Sequence, residues 1–287
     1  MKKKRFLWGS LLLIWIGVIA LLYFRADLRF MVKNTVAGWF RERTVMQLVD
    51  SSTLNLREKA LSALLSEKNC SYNQSLILVN GTYKLDGGFV ADISEYKDSG
   101  VLMNNCIMDA YAALSADVDE RFEEKLYVMS AYRSAEEQAD VLASEGADTA
   151  AEVGASEHQT GLSLDVYVKY FAGDGFLKSE VGQFVNANCQ NYGFVIRYPY
   201  GKEAVTGTRF EPWHIRYVGI PHAAFMASNG LAFEEYIDRL EPDRFYELDG
   251  YLVSRQRGGP FLIPTDYAQL TISPDNTGYY ILTFQMD

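Results

Sequence analysis

A chain of 287 residues that is 48% hydrophobic and 14% aromatic can bury one medium domain with accessories, and it lacks the long low-complexity tracts of a disordered protein. Its formal net charge is −10. Five basic and no acidic residues lie within positions 1–25, so the remainder holds 22 basic against 37 acidic side chains, a balance that excludes the basic face nucleic-acid binding requires.

Lys2, Lys3, Lys4 and Arg5 precede Phe6–Phe24, a run of 19 residues without a charge. A helix of that length covers about 28 Å, close to the hydrocarbon thickness of a bilayer. No small-x-small cleavage site follows it, so the run reads as an uncleaved signal anchor. Arg25, Arg29 and Lys33 flank its other end, which leaves the positive-inside bias modest. A five-residue basic tail is hard to translocate, so the N-terminus is expected in the cytoplasm and the body outside.

Residues 26–69 are expected to form a helical stalk without a core of their own. Val32, Val36, Trp39 and Phe40 share one helical face, with Arg29, Lys33, Arg41 and Arg43 around it. Such a face suits anionic lipid or packing as a stalk against the domain.

The main domain is expected over residues 70–240. Ser75–Asn80, Leu126–Tyr132, Leu162–Val168, Phe194–Tyr198 and Trp213–Val218 read as strands. Asn105–Ala116 and Ser179–Tyr192 read as helices, the latter closed by Gly193. Ser134 and Glu137 form a capping box that opens a third helix reaching about Ser144. After Pro242, Tyr251–Ser254, Gln269–Ile272 and Tyr279–Phe284 are strand-like and separated by Gly- and Pro-containing turns, which predicts a small β appendage over 241–287. The expected fold class is α+β: a small mixed or antiparallel sheet flanked by helices, with a zinc cleft, an N-terminal transmembrane helix and a C-terminal β appendage.

Cys70, Cys106 and Cys189 are widely spaced with no CxxC pair, which argues against a thiolate zinc site. Cys106 and Cys189 lie in apolar helical patterns and read as buried free thiols, one disulfide with an odd thiol being the alternative.

Two of the three histidines carry the chemistry. His158 and Asp165 flank Gly161, which permits a turn between a loop imidazole and the start of a strand. Glu211 and His214 flank Pro212, which marks a strand edge, so Glu211 can sit at the strand mouth while His214 points inward. Taken singly, each pair is a weak signal, better read as an ordinary surface histidine and a strand-edge carboxylate. Together they supply two imidazoles and one carboxylate for a Zn²⁺ with a position left for water, and a second carboxylate to act as base. Arg133, between a strand and the capped helix, can hold an oxyanion or a carboxylate. His222, outside any motif, reads as a surface or capping residue.

The segments Ser130-Ala131-Tyr132-Arg133-Ser134, Ser156-x-His158-x-x-Gly161-x-x-x-Asp165 and Glu211-Pro212-Trp213-His214-x-Arg216 resemble the VanY-type D-alanyl-D-alanine carboxypeptidases, whose relatives include D-Ala-D-Ala dipeptidases and LD-carboxypeptidases. The resemblance covers roughly residues 75–240. It implies that His158, Asp165 and His214 bind zinc, that Glu211 is the general base and then the acid for the leaving amine, and that Arg133 stabilises an oxyanion or orients substrate. It further implies that Gln138, Ser156, Tyr198 and Trp213 line the subsite for the terminal D-residue.

An outward-facing anchored enzyme of this type would meet peptidoglycan stem pentapeptides ending in D-Ala-D-Ala, whereas the free dipeptide is cytoplasmic. The expected function is therefore zinc-dependent removal of the terminal D-Ala outside the membrane, which would also remove the terminus vancomycin binds. The alternatives are an LD-carboxypeptidase or other cell-wall peptidase, and a module that binds wall peptides without cutting them.

Overall fold

The computed structural model describes residues 21, 23–146 and 150–286. The expected membrane span at 6–24 lies almost wholly outside the described residues, and among these no helix is long and apolar enough to cross a membrane.

Helix α1 spans Ala26–Phe40. Strands β1 (Gln47–Val49) and β2 (Leu56–Ala60), the single turn α2 (Leu61–Leu64) and strand β3 (Cys70–Tyr72) follow. The helical expectation for 26–69 therefore fails after Phe40. Next come β4 (Ile93–Glu95), β5 (Leu102–Asn104), α3 (Met108–Phe122), β6 (Tyr127–Ser130), α4 (Ala135–Glu145), β7 (Ser163–Tyr167), α5 (Glu180–Asn188), β8 (Phe194–Ile196), α6 (Glu203–Thr206) and β9 (His214–Tyr217). Two helices, α7 (His222–Asn229) and α8 (Phe233–Arg239), lead to β10 (Phe245–Leu248), β11 (Tyr251–Arg257), β12 (Pro260–Pro264), β13 (Gln269–Pro274) and β14 (Tyr279–Gln285).

A four-stranded antiparallel sheet in the order β6-β7-β9-β8 positions the site. Alternation sorts its side chains. Leu164 and Val166 on β7 and Ile215 on β9 are fully buried in a core shared with Leu114 and Val118 of α3 and Val185 of α5. Ser163, Asp165, His214 and Arg216 take the opposite face. The capping box forms as expected: Ser134 Oγ accepts from Glu137 N at 3.1 Å and Ser134 N donates to the Glu137 carboxylate at 2.7 Å.

Ser75–Asn80 joins no ladder. Leu76, Ile77, Leu78 and Val79 are all buried, so the run is apolar on every side rather than alternating. Its backbone is satisfied instead by Ser273 Oγ, the Asp275 carbonyl and the Arg216 guanidinium, which donates to the carbonyls of Ser75 and Ile77.

The C-terminal strands are not an isolated appendage. A six-stranded sheet runs β1-β10-β11-β14-β13-β3, and β2 pairs with β12. Phe245, Leu252, Leu270, Ile272 and Phe284 share a core with Leu64, against which Val49, Leu54 and Leu56 pack. Strands of three to five residues whose partners lie some two hundred positions away carry no local signal, which explains the misassigned stalk.

His222 is a second correction: it is 2% exposed, with Nε2 3.0 Å from Thr283 Oγ1 and Nδ1 against the Tyr236 hydroxyl. Burial pushes its imidazole down to about 3. The folded value lies below the unfolded one of about 6.5, so this stabilisation is complete above about pH 6.5 and is lost as pH falls toward 3. Unfolding free energy is expected to drop by about 1.4 kcal/mol per pH unit from this group between roughly pH 6 and 4. Urea unfolding at several pH values should show that slope flattened in His222→Gln; an unaltered slope would assign it to other groups.

Candidate metal centre

Asp165 and His214 are direct cross-strand partners in the β7–β9 ladder. Such partners stand on one face with Cβ atoms about 5 Å apart, and here Asp165 Oδ1 is 3.0 Å from His214 Nδ1. His158 arrives on a 3₁₀ turn, Glu157–Thr160, just before β7, and its Nε2 is 3.3 Å from Asp165 Oδ2. Gly161 ends that turn at φ 67°, and a Cβ there would lie 2.3 Å from Ile93 Cδ1 and 2.9 Å from Asn104 N. Only glycine lets the turn press against β5 and swing His158 over the strand.

One ligand atom from each of His158, Asp165 and His214 lies within 4.8 Å of the others. His158 Nδ1 is 2.8 Å from the Ala131 carbonyl, so it carries the proton and leaves the Nε2 lone pair facing the cluster. Asp165 Oδ1 is buried with no hydrogen-bond partner among the described residues; its contact with His214 is close but misaligned. A buried, unpartnered carboxylate oxygen is costly, and a divalent cation at this junction would satisfy it. Two imidazoles and a carboxylate are a three-ligand set that suits zinc.

Charge points the same way. Burial alone would raise the Asp165 carboxyl, but the His158 and His214 imidazoles outweigh it and hold the group below the usual carboxylate range. Burial would lower His214, but the Asp165 and Glu157 carboxylates prevail and push it up to about 9. The cluster thus favours positive charge between these groups, for which a proton and a divalent cation compete.

Glu211, Pro212 and Trp213 form a turn closed by His214 N donating to the Glu211 carbonyl at 3.1 Å, and β9 begins only at His214. The turn brings Glu211 Oε2 to 3.9 Å from His214 Nδ1. Burial pushes the Glu211 carboxyl above its ordinary value, and His214 offsets this only in part. Glu211 is therefore a partly exposed carboxylate beside the ligand cluster, placed to exchange a proton.

The remaining expected residues divide. Tyr198 packs against the His214 ring at a centroid distance of 4.9 Å, the two planes inclined by 51°. Trp213 is buried beneath the Arg209 guanidinium. Ser156 is buried at the start of the His158 turn. Gln138 faces inward at 1% exposure: it donates to the Ala151 carbonyl at 2.7 Å and accepts from Arg133 Nη1 at 3.0 Å. Arg133 also donates to Ser130 Oγ at 3.1 Å, and its backbone N donates to the His158 carbonyl at 3.0 Å. Gln138 thus orients Arg133.

One group escaped the sequence reading. Glu157 is fully buried and accepts from Arg197 Nε at 2.7 Å, Arg216 Nη1 at 2.8 Å and Ser163 Oγ at 3.0 Å, while its other face lies 3.9 Å from His214 Nε2. Arg197 in turn donates twice to Glu234, at 2.6 and 2.9 Å. Burial would raise the Glu157 carboxyl, but the two guanidiniums hold it far below the usual range. The available signal was strand alternation, which puts Arg216 on the face of His214.

Comparison with known proteins agrees with this geometry. The VanY family model, described as D-alanyl-D-alanine carboxypeptidase, matches residues 100–220. A D-alanyl-D-alanine carboxypeptidase of Enterococcus faecium is 34% identical over 189 residues, covering 60% of each chain. This chain therefore spans less than two thirds of that relative's length. The putative carboxypeptidase YodJ of Bacillus subtilis is 31% identical over 58% of this chain and 68% of its own. The solved structure of a variant of the vancomycin-resistance D,D-pentapeptidase VanY from a VanB-type cassette, in complex with Zn(II), is 30% identical with a TM-score of 0.51, over 57% of this chain and 98% of its own. With the His–Asp–His cluster and its adjacent carboxylate gathered on one face of the sheet, and with these relatives, the chain belongs to the VanY family of D-alanyl-D-alanine carboxypeptidases.

Proposed function

We propose that this chain is a zinc-dependent carboxypeptidase that removes the terminal D-alanine from peptidoglycan stem pentapeptides, held at the cell membrane by residues 6–24 with its catalytic body outside. The observation that carries the reading is the meeting of His158, Asp165 and His214 within 4.8 Å, with the Glu211 carboxylate 3.9 Å from His214. Family relatives named D-alanyl-D-alanine carboxypeptidase and D,D-pentapeptidase support the substrate class.

His158, Asp165 and His214 would hold the zinc, which supplies Lewis-acid activation of water and neutralises developing charge on the scissile carbonyl. Glu211 accepts a proton from the attacking water at its carboxylate. As the C–N bond breaks, it returns that proton to the departing D-alanine nitrogen, leaving the shortened stem with a new carboxylate. Its raised pKa suits both halves of the exchange. Arg133, clamped by Gln138 and Ser130, offers a fixed guanidinium for a carboxylate or an oxyanion. Tyr198 supplies an aromatic wall beside His214, and Trp213 anchors the preceding turn in the core.

The test is mass spectrometry of defined tri-, tetra- and pentapeptide stems incubated with the zinc-loaded chain. Loss of a single alanine from the pentapeptide is expected, abolished by a chelator and restored by stoichiometric zinc. Trimming of the tetrapeptide alone would instead assign an LD-carboxypeptidase. Binding without cleavage of any stem would assign a recognition module.

A further inference from the structure

Helix α1 is apolar on two opposite sides. Phe30, Met31, Asn34 and Gly38 turn toward the body and line a cavity of about 400 Å³ with Phe194 and Met226. At about 100° per residue, Val32, Val36, Trp39 and Phe40 centre on the opposite side of the helix. All four are exposed, Trp39 at 75% and Phe40 at 83%. The helix is mounted firmly: Arg41 Nη1 donates to the Ala227 carbonyl at 3.0 Å, and Thr44 N donates to Ser228 Oγ at 3.3 Å. The outward stripe is therefore a presented surface, where four large apolar side chains stay exposed among the described residues.

Charge says what covers it. Residues 1–45 hold nine basic and two acidic side chains, whereas residues 46–287 hold 18 and 35. Lys33 accompanies the apolar stripe, and the exposed Arg43 follows just beyond the helix end, at the rim of that cavity. An anionic surface attracts this end of the molecule and repels the rest. The stripe also follows within eight residues of the uncharged run ending at Phe24. Tryptophan on an apolar helix stripe with basic residues nearby suits the headgroup level of a bilayer.

We propose that the outward face of α1 lies on an anionic lipid surface, with Val32, Val36, Trp39 and Phe40 at the boundary between headgroups and acyl chains and Lys33 and Arg43 against lipid phosphates. The inference goes beyond the hydrolase reading and uses only its anchor. It makes α1 a mount that fixes the orientation of the catalytic body at the membrane, in place of a free stalk.

The test reconstitutes the full chain, in a Cys70→Ser background, into vesicles of phosphatidylglycerol with phosphatidylcholine and into phosphatidylcholine alone. Spin labels at Val36→Cys and Phe40→Cys are compared with one at Tyr170→Cys, a site 86% exposed on the body. In the anionic vesicles the oxygen-to-nickel collision ratio should be several-fold higher at positions 36 and 40 than at 170. It should fall toward the value at 170 in phosphatidylcholine or with Lys33→Glu and Arg43→Glu. Equal ratios at all three sites in anionic vesicles overturn the proposal, as does failure of the chain to float with them. Dipolar broadening between labels without oxygen enrichment also overturns it, in favour of a second copy. Hydrolysis of soluble stem peptide should be unchanged in the charge-reversed chain, so failure here and failure of the catalytic reading are separable.

Discussion

Glu211→Ala is expected to lower kcat on a stem pentapeptide by roughly 10²–10⁴-fold while leaving zinc content and fold intact. Glu211 stands beside the ligand cluster, 3.9 Å from His214 Nδ1, and its side chain retains 20% exposure. Its removal leaves neither a vacant ligand position nor a buried unpaired charge, so the metal and the sheet persist and only proton transfer is lost. His214→Ala provides the contrast. It deletes a ligand and strips Asp165 and Glu157 of the group between them, so zinc and turnover should vanish together. Zinc analysis by atomic absorption alongside steady-state kinetics separates the cases. Near-normal kcat in Glu211→Ala would place the base elsewhere.

Glu157→Gln should destabilise the fold by about 3–5 kcal/mol. The carboxylate lies between two guanidiniums whose side chains are 0% exposed, and only Glu234 remains to balance them. An amide of the same shape keeps the packing and can still accept from both guanidiniums at Oε1, with its N–H₂ turned to the Ser163 hydroxyl, but it withdraws the compensating charge. For a chain of this size that loss corresponds to a melting point lower by roughly 10 °C. The same substitution frees His214 Nε2 from the carboxylate 3.9 Å away, and outer partners of this kind tune metal affinity by about 10–100-fold. Thermal unfolding with and without chelator measures both effects. A shift no larger than that of an exposed substitution, about 0.5 kcal/mol, would show that the network does not hold the site together.

The expected and observed structures part company where partners are distant. Gly161, the Ser134–Glu137 capping box and the β7 alternation act between near neighbours, and each stood where the residue pattern placed it. The Glu157–Arg197–Arg216 cluster joins positions 40 and 59 residues apart, and no periodicity announces it. His222 looked like a surface residue because its partners, Tyr236 and Thr283, come from another helix and the last strand.

The sequence by itself determined the α+β class through local turn chemistry and strand alternation, and through the resemblance of its motifs the family and the side chains from two stretches that gather around Asp165. Tertiary structure alone decided that residues 47–72 complete the C-terminal sheets and that Gln138 braces Arg133. It also decided that Glu157 backs His214. Short strands and buried charges acquire their partners only when the cores close around them, and burial then makes those pairings compulsory.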